Sequence, residues 1–427
     1  MKRWISMVAM MAVMAAPDPV RAQDARVGEL ERKVDLLTEE IEKMKLGTVA
    51  ETTATAPRGG FAPAASKVYG AGRGVSIGGY GEMLYERFAG EREDGVAAPR
   101  TPRLDFLRNV VYVGYKFDDH LLFNSEIEIE HAGVGGVADG EVVLEFAYLD
   151  WAPRPEFGLR AGMVLIPVGL TNEWHESPVF IGARRPDVEQ RIIPTTWRAN
   201  GAGVFGALPV GLAYRAYVTE GLDARGFTAD GGIRGGRQSG SEAQALNPGF
   251  SGRLDWTGTP GLLVGVSAYT GDSWQESQPV AATLTPRVSL VDLHARYEAR
   301  GLQARGMLVS GRLDDAADLS DEIGLVDSAR LGERFWGYYV EAAYDVLPLA
   351  YPGTRYGLLP YLRFERSDTQ DDVPGGSEDP ANDRTTLTTG LALKPHPNVI
   401  LKMDHQQRRD QAKTGVDQWN AAIGYLF

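Results

Sequence analysis

The chain ends in Gln418-Trp419-Asn420-Ala421-Ala422-Ile423-Gly424-Tyr425-Leu426-Phe427. Alternate residues of a strand share a face. Trp419, Ala421, Ile423, Tyr425 and Phe427 therefore form one apolar, aromatic face, while Gln418, Asn420, Ala422 and Gly424 point the other way. The stretch before it repeats the pattern, with Val399, Leu401 and Met403 opposing Lys402, Asp404, Gln406 and Arg408. Far upstream, Phe123, Ile127 and Ile129 oppose Asn124, Glu126, Glu128 and Glu130. Apolar outside and charged inside is the pattern of a barrel in lipid, because only a closed barrel pairs every backbone group of its strands where there is no water. So many inward charges predict a wet interior rather than a packed core.

Similar period-two stretches recur upstream, at 76–88, 104–118, 121–131, 141–151, 158–166, 201–208, 211–220, 250–257 and 261–270, then at 287–299, 301–311, 335–347, 355–366, 384–395, 398–409 and 416–427. Strands of ~9–11 residues cross a bilayer, so the reading is an all-β, transmembrane antiparallel barrel of about sixteen strands over residues 74–427. The connections alternate in length. Short ones lie at 118–120, 153–156, 208–210, 258–260 and 395–398, and long ones at 89–103, 167–200, 221–249, 271–286, 312–334 and 367–383. Outer-membrane barrels sort their connections this way, with short periplasmic turns and long external loops. An even strand count puts both barrel ends on the periplasmic side.

The N-terminus reads differently. Lys2 and Arg3 precede a short apolar run, and small or apolar residues at Val20 and Ala22 predict a signal peptide over 1–22. Val27, Leu30, Val34, Leu37, Ile41 and Met44 alternate steps of three and four, which predicts a periplasmic coiled coil over 23–47. β-branched residues at a with Leu at d lean toward two strands. Residues 48–73 hold an Ala-, Thr- and Pro-rich stretch without period and read as a flexible linker.

Composition excludes several classes. The formal charge of -13 argues against nucleic acid as a partner. With 24% charged residues this is not a polytopic helical membrane protein. The absence of cysteine removes disulfides, thiolate metal sites and a cysteine nucleophile.

The run Ala161-Gly162-Met163-Val164-Leu165-Ile166-Pro167-Val168-Gly169-Leu170-Thr171-Asn172-Glu173-Trp174-His175-Glu176, continuing to Arg191-Ile192-Ile193-Pro194-Thr195-Thr196-Trp197, resembles the phosphate-selective porin O and P family. Ile77-Gly78-Gly79-Tyr80-Gly81-Glu82 and Ile233-Arg234-Gly235-Gly236-Arg237-Gln238 share the resemblance, which spans about residues 74–427. It implies sixteen strands, a homotrimer, an N-terminal coiled coil, here of three strands, and a loop folded into the pore. It also implies an anion-selective lumen with a lysine cluster. Here the barrel lysines Lys67, Lys116, Lys394, Lys402 and Lys413 are scattered.

Loops longer than ~12–15 residues are uncommon unless functional or disordered, so 167–200 is the expected constriction loop. Its polar candidates are Asn172, Glu173, His175, Glu176, Arg184, Arg185, Glu189, Arg191 and Arg198. Inward parity predicts pore-lining residues Glu82, Arg108, Lys116, Glu126, Glu128, Arg160, Arg215, Arg296, Arg305, Arg363, Lys402, Asp404 and Arg408. Opposed acidic and basic walls create a transverse field that suits polar solutes generally.

No catalytic or metal site is expected, nor any cofactor. Gly74-Val75-Ser76-Ile77-Gly78 matches the G-x-S-x-G pattern, but it opens a strand with no helix after it, whereas that nucleophile needs a strand-to-helix elbow. His175-Glu176 lacks the second histidine of a zinc helix. The expected protein is an outer-membrane porin passing small hydrophilic solutes, possible anions such as phosphate included. Its expected partners are membrane lipid, lipopolysaccharide and the barrel-insertion machinery, which would read terminal Phe427. The alternative is a structural barrel that anchors the coiled coil without transport.

Overall fold

A computed structural model describes residues 32–33, 60–133, 140–276 and 284–427. The chain divides into two units, residues 1–55 and 56–427. In the first, only Arg32 and Lys33 are described, both helical and exposed. The predicted signal peptide, and the coiled coil apart from those two residues, lie outside the described residues.

The second unit is a closed antiparallel barrel of sixteen strands in which every strand pairs with its sequence neighbours and β1 pairs with β16. The first eight are β1 Gly74–Phe88, β2 Arg103–Lys116, β3 Leu121–Glu130, β4 Val142–Arg154, β5 Phe157–Leu165, β6 Arg198–Leu208, β7 Leu212–Glu220 and β8 Pro248–Trp256. The rest are β9 Leu262–Asp272, β10 Arg287–Ala299, β11 Leu302–Leu313, β12 Arg334–Tyr344, β13 Gly357–Asp372, β14 Asp383–His396, β15 Val399–Asp410 and β16 Gln418–Leu426. Four short helices punctuate the connections: α1 Lys67–Gly70, α2 Val188–Arg191, α3 Ala316–Glu322 and α4 Leu347–Ala350.

The alternation read from the sequence sets the register. Val75, Ile77, Leu293, Leu308, Val340 and Met403 face outward and are exposed, while Asp292, Glu341, Arg363 and Asp404 face inward. Aromatic rings mark both edges of the apolar belt, as in membrane barrels. Tyr115, Phe117 and Trp151 stand near the short-turn end, and stacked Trp336 and Tyr338 near the long-loop end. The closing seam depends on two glycines. A Cβ on Gly79 would meet the Phe427 ring at 2.6 Å, and one on Gly81 the Tyr425 ring at 2.4 Å. The bare backbone lets both rings lie flat across β1.

Three expectations need correction. Strand β13 continues past Arg366 to Asp372, because its ladder runs on to Asp368 opposite Asp383. The external loop there shortens to residues 373–382. The connection at residues 345–356 is longer than the other turns at its end and holds α4.

The largest correction concerns the interior, which is packed over much of its area. Inward Tyr269, Val288, Leu290, Met307, Val309 and Tyr339 form a buried cluster with Val188, Ile192, Ile193 and Trp197 from the β5–β6 loop. A second cluster joins Tyr80, Tyr112, Phe146 and Tyr148 to Phe61, Ala64, Ala65 and Val68. The last four belong to residues 60–73, expected as linker. That segment is a strap inside the barrel, and its end at Ala71 accepts a hydrogen bond from Lys116 Nζ at 3.1 Å. Inward parity does not distinguish a wall that faces water from one that faces an inserted segment, and several inward positions are apolar.

Candidate permeation site

The loop between β5 and β6, residues 166–197, enters the lumen instead of capping it. Its entry is fixed at Gly169, whose positive φ of +79° turns the chain inward. Gly169 N–H donates to Ser267 Oγ at 3.2 Å and Asp292 Oδ2 at 3.1 Å, and Arg253 donates to the Gly169 carbonyl. Asn172 ties the two ends of the loop together. Its Nδ2 donates to the carbonyls of Ile166 and Trp197 at 2.7 and 2.9 Å, and its Oδ1 accepts from Trp197 N–H at 2.7 Å.

From there the loop touches wall strands around the lumen. Glu173 lies 3.1 Å from Arg215 and 3.8 Å from Arg253. His175 Nε2 lies 3.0 Å from Glu126. Burial pulls the His175 pKa down, but Glu126 outweighs it and the net shift is upward. Glu176 accepts from the N–H groups of Ala64 and Ala65 in the strap at 3.2 and 2.8 Å. Burial raises its pKa to about 7 despite those donors. Ser177 Oγ donates to Glu82 at 3.0 Å. Lys402 Nζ donates to the carbonyls of Ser177 and Gly182 at 2.7 and 3.0 Å and lies 3.8 Å from the centre of the Phe180 ring. Asp404 accepts from Ala183 N–H at 2.7 Å. Beyond α2's start, Glu189 accepts from Thr171 N–H at 2.5 Å and from the Tyr339 hydroxyl at 2.6 Å. Asp187 pairs with Arg408 at 2.7 Å; burial raises its pKa, yet Arg408 and Arg191 outweigh this and hold it at about 2.

The predicted constriction residues thus split by role. Asn172, Glu173, His175, Glu176 and Glu189 are buried pins between loop and wall. Arg184, Arg185, Arg191 and Arg198 face two neighbouring cavities of about 980 and 490 Å³ on the long-loop side. Of the predicted pore lining, Glu82, Arg108 and Arg408 reach these cavities. Glu126, Glu128, Arg160, Arg215, Arg363, Lys402 and Asp404 are buried beneath inserted chain. Arg296, 4.0 Å from the Trp174 ring, and Arg305, 2.7 Å from Glu341, line a cleft of about 10 Å³ beside Val179 and Ile181. That is room for about one water.

The cavities also contain residues that parity did not select. Arg100, Arg103, Arg234, Arg237, Arg384 and Arg409 line them, and among the described lining residues arginines outnumber carboxylates by twelve to eight in a chain of charge -13. Arg234 and Arg237 come from the β7–β8 loop, where strand parity gives no guide. Their sequence signal was the Arg234-Gly235-Gly236-Arg237 run. Arg234 donates to the carbonyls of Gln190 and Thr195 at 3.1 and 2.5 Å, and Arg237 to those of Pro194 and Thr196 at 3.2 and 2.5 Å. Arg185 donates to the His175 carbonyl at 3.1 Å and to Thr196 Oγ1 at 3.3 Å. Among the described residues, none of these three has a carboxylate in ion-pair contact. Burial, then repulsion from Arg237, Arg185 and Arg191, lowers the Arg234 pKa to about 10. Carbonyls hold these guanidiniums in place without a carboxylate in contact, with Glu130, Glu141 and Glu145 acting on them only from across the cavity, which leaves room for an anion beside them.

No protein-family model matches the chain. The fold superposes on solved outer-membrane channels. An anion-selective porin from Comamonas acidovorans aligns at 12% identity and TM-score 0.51, covering 83% of this chain and 99% of that one. OmpF of Salmonella typhi, solved with daunomycin, gives 14% and 0.51 over 83% and 97%. The outer-membrane channel DcaP of Acinetobacter baumannii gives 10% and 0.51 over 83% and 97%. An uncharacterized protein of Aquifex aeolicus (strain VF5) is 36% identical over 380 residues, or 87% of this chain and 84% of that protein. The chain belongs to the same family as that Aquifex protein, and its fold is the closed porin-type barrel.

Proposed function

We propose that the protein is an outer-membrane porin that passes small hydrophilic solutes passively and favours anions. The observation that carries the reading is the positive charge of Arg185, Arg234 and Arg237 above the inserted loop, held by carbonyls and a hydroxyl with no carboxylate in contact among the described residues. A water-filled mouth with low-dielectric walls concentrates the ion of opposite sign, and a loop across the lumen sets the size cutoff. Such a device needs no chemical step, so no enzyme activity is assigned. Phosphate is one anion this mouth would accept. Among the described residues no lysine lines either cavity, so the resemblance to phosphate-selective porins is read as a general anion preference.

The remaining assignments complete the same reading. The barrel acts as a homotrimer in outer-membrane lipid and lipopolysaccharide, with residues 1–22 removed on export and a coiled coil over 23–47 in the periplasm. Phe427, exposed at the chain end, is the signal for the barrel-insertion machinery.

A second reading is a structural barrel that anchors the coiled coil without transport. The packed interior favours it. Liposome swelling separates the two. Proteoliposomes in neutral, anionic and cationic sugars of equal size should swell fastest with the anion. The absence of swelling in every sugar, from folded protein, would leave the anchor.

A further inference from the structure

The strap, residues 60–73, occupies the short-turn half of the lumen and holds the inserted loop from below. Phe61 stacks on Tyr148 with centroids 5.6 Å apart, lies 5.1 Å from Phe146, and sits under the Arg160 guanidinium at 4.8 Å. The Tyr69 hydroxyl donates to Asp150 at 2.7 Å. Asn124 Nδ2 donates to the Ala65 carbonyl at 2.9 Å. Three bonds reach the loop: Glu176 takes the N–H groups of Ala64 and Ala65, and Trp174 Nε1 donates to the Gly60 carbonyl at 3.1 Å.

Two features separate this strap from a permanent part of the wall. First, the main buried charge of the wall behind it keeps partners of its own besides its 2.8 Å bond to Tyr69 of the strap. Arg160 makes two bonds of 2.8 Å to Asp150 and one of 2.9 Å to the Tyr217 hydroxyl, and Asn124 reaches Tyr148 at 3.1 Å. Withdrawal of the strap gives up the Lys116 bond to Ala71 and the Arg160 bond to Tyr69 but leaves the buried Arg160–Asp150 pair intact, so the cost of stranding a buried charge is limited. Second, its junction with β1 is a hinge. Gly70, Gly72 and Arg73 are exposed, and Gly74 has a φ of +113° that glycine alone adopts without strain.

We propose that the strap is a movable stop, which in the lumen props the constriction loop through Glu176 and Trp174 and on leaving widens the path through the barrel. The proposal rests on the porin reading above. The strap follows the segment in which the sequence predicts a coiled coil, so a pull on the N-terminal chain is the force suited to withdraw it.

The test uses the full-length chain, which has no native cysteine. A Cβ at position 114 would lie 2.6 Å from Val68 Cβ. A disulfide spans ~3.8 Å between Cβ atoms, so Val68→Cys with Gly114→Cys forms one after a shift of about 1 Å and locks the strap. Phe61→Ala with Tyr69→Phe loosens it instead. Single-channel current is recorded for both variants, with the disulfide verified by thiol titration and then reduced in the same bilayer. The locked form should pass less current than wild type and recover on reduction. The loosened form should pass about twofold more, since the width of a constriction sets its conductance. Equal currents in locked, reduced and wild-type forms would make the strap a fixed brace, with the porin reading intact. Silence of every folded form would overturn both.

Discussion

Arg215 and Arg253 lie beneath the inserted loop, and Arg234 and Arg237 lie above it. Beneath, both arginines reach Glu173 and Asp255, with Arg215 and Arg253 at 2.7 and 2.8 Å from Asp255. His294 adds a third contact to Asp255 at 2.9 Å. Above, Arg234 and Arg237 donate their hydrogen bonds to carbonyl oxygens, with no carboxylate in ion-pair contact among the described residues. The same side chain therefore serves two ends. A buried guanidinium with carboxylates on it is neutralised locally and works as a fastener. One held by carbonyls keeps its field and acts on solutes in the cavity. An inward arginine of this barrel is assigned by its company, not by its strand parity.

The largest effect should come from breaking the fastener. Asp255→Ala leaves Arg215, Arg253 and His294 short of a partner in a buried site, where removing one member of a buried pair costs about 3–5 kcal/mol. A urea titration of the refolded barrel should show a clearly lower midpoint, and an unchanged midpoint would show that water already screens this site. Removing the cavity charge is the converse. Arg185→Gln, Arg234→Gln and Arg237→Gln together should move the reversal potential in a salt gradient several-fold toward cations while the unfolding midpoint moves far less. A large loss of stability without a change in selectivity would reverse the roles given to the two groups.

A smaller effect is expected from pH. The Glu176 pKa, raised to about 7 by burial, faces His175, Glu126, Lys67 and Tyr112. A carboxyl raised in the folded state adds stability that is present at low pH and lost as pH rises through about 7. His175, also raised, acts in the same direction. Asp187, held at about 2, adds nothing to the change across this window. The loop should therefore sit tighter at about pH 5 than at about pH 8, with lower current at the lower pH, and Glu176→Gln should flatten the response. A response that survives this substitution would place the titrating group elsewhere. The smallest effect belongs to the exposed outer pair. Arg312 is 61% exposed beside Asp314 and Glu333, and Arg312→Ala should change stability by less than about 1 kcal/mol in the same urea titration.

The barrel was legible because its rule is local. Period two, a turn, and period two again need no knowledge of distant residues, and Trp419 to Phe427 carry it as plainly as any stretch. The site was half legible. The length and polar content of the β5–β6 loop marked it as inserted, but Glu173 and Arg184 look alike in sequence and differ only in what the fold brings to them. The strap was not legible. Phe61, Ala64, Ala65 and Val68 fall at i, i+3, i+4 and i+7, but in so short an Ala- and Pro-rich stretch that spacing does not stand out, and their burial is decided by the aromatic patch of Tyr80, Tyr112, Phe146 and Tyr148. A composition suited to a free linker also suits a chain threaded through a narrow space.

Arginines held by carbonyls above the loop should make the mouth select anions. The most direct measurement is the zero-current potential of the purified protein in a potassium chloride gradient, compared with that of the triple Arg185, Arg234 and Arg237 variant. The wild type should prefer chloride over potassium, and the variant should lose that preference. A cation-preferring wild type, or identical potentials for the two proteins, would contradict it.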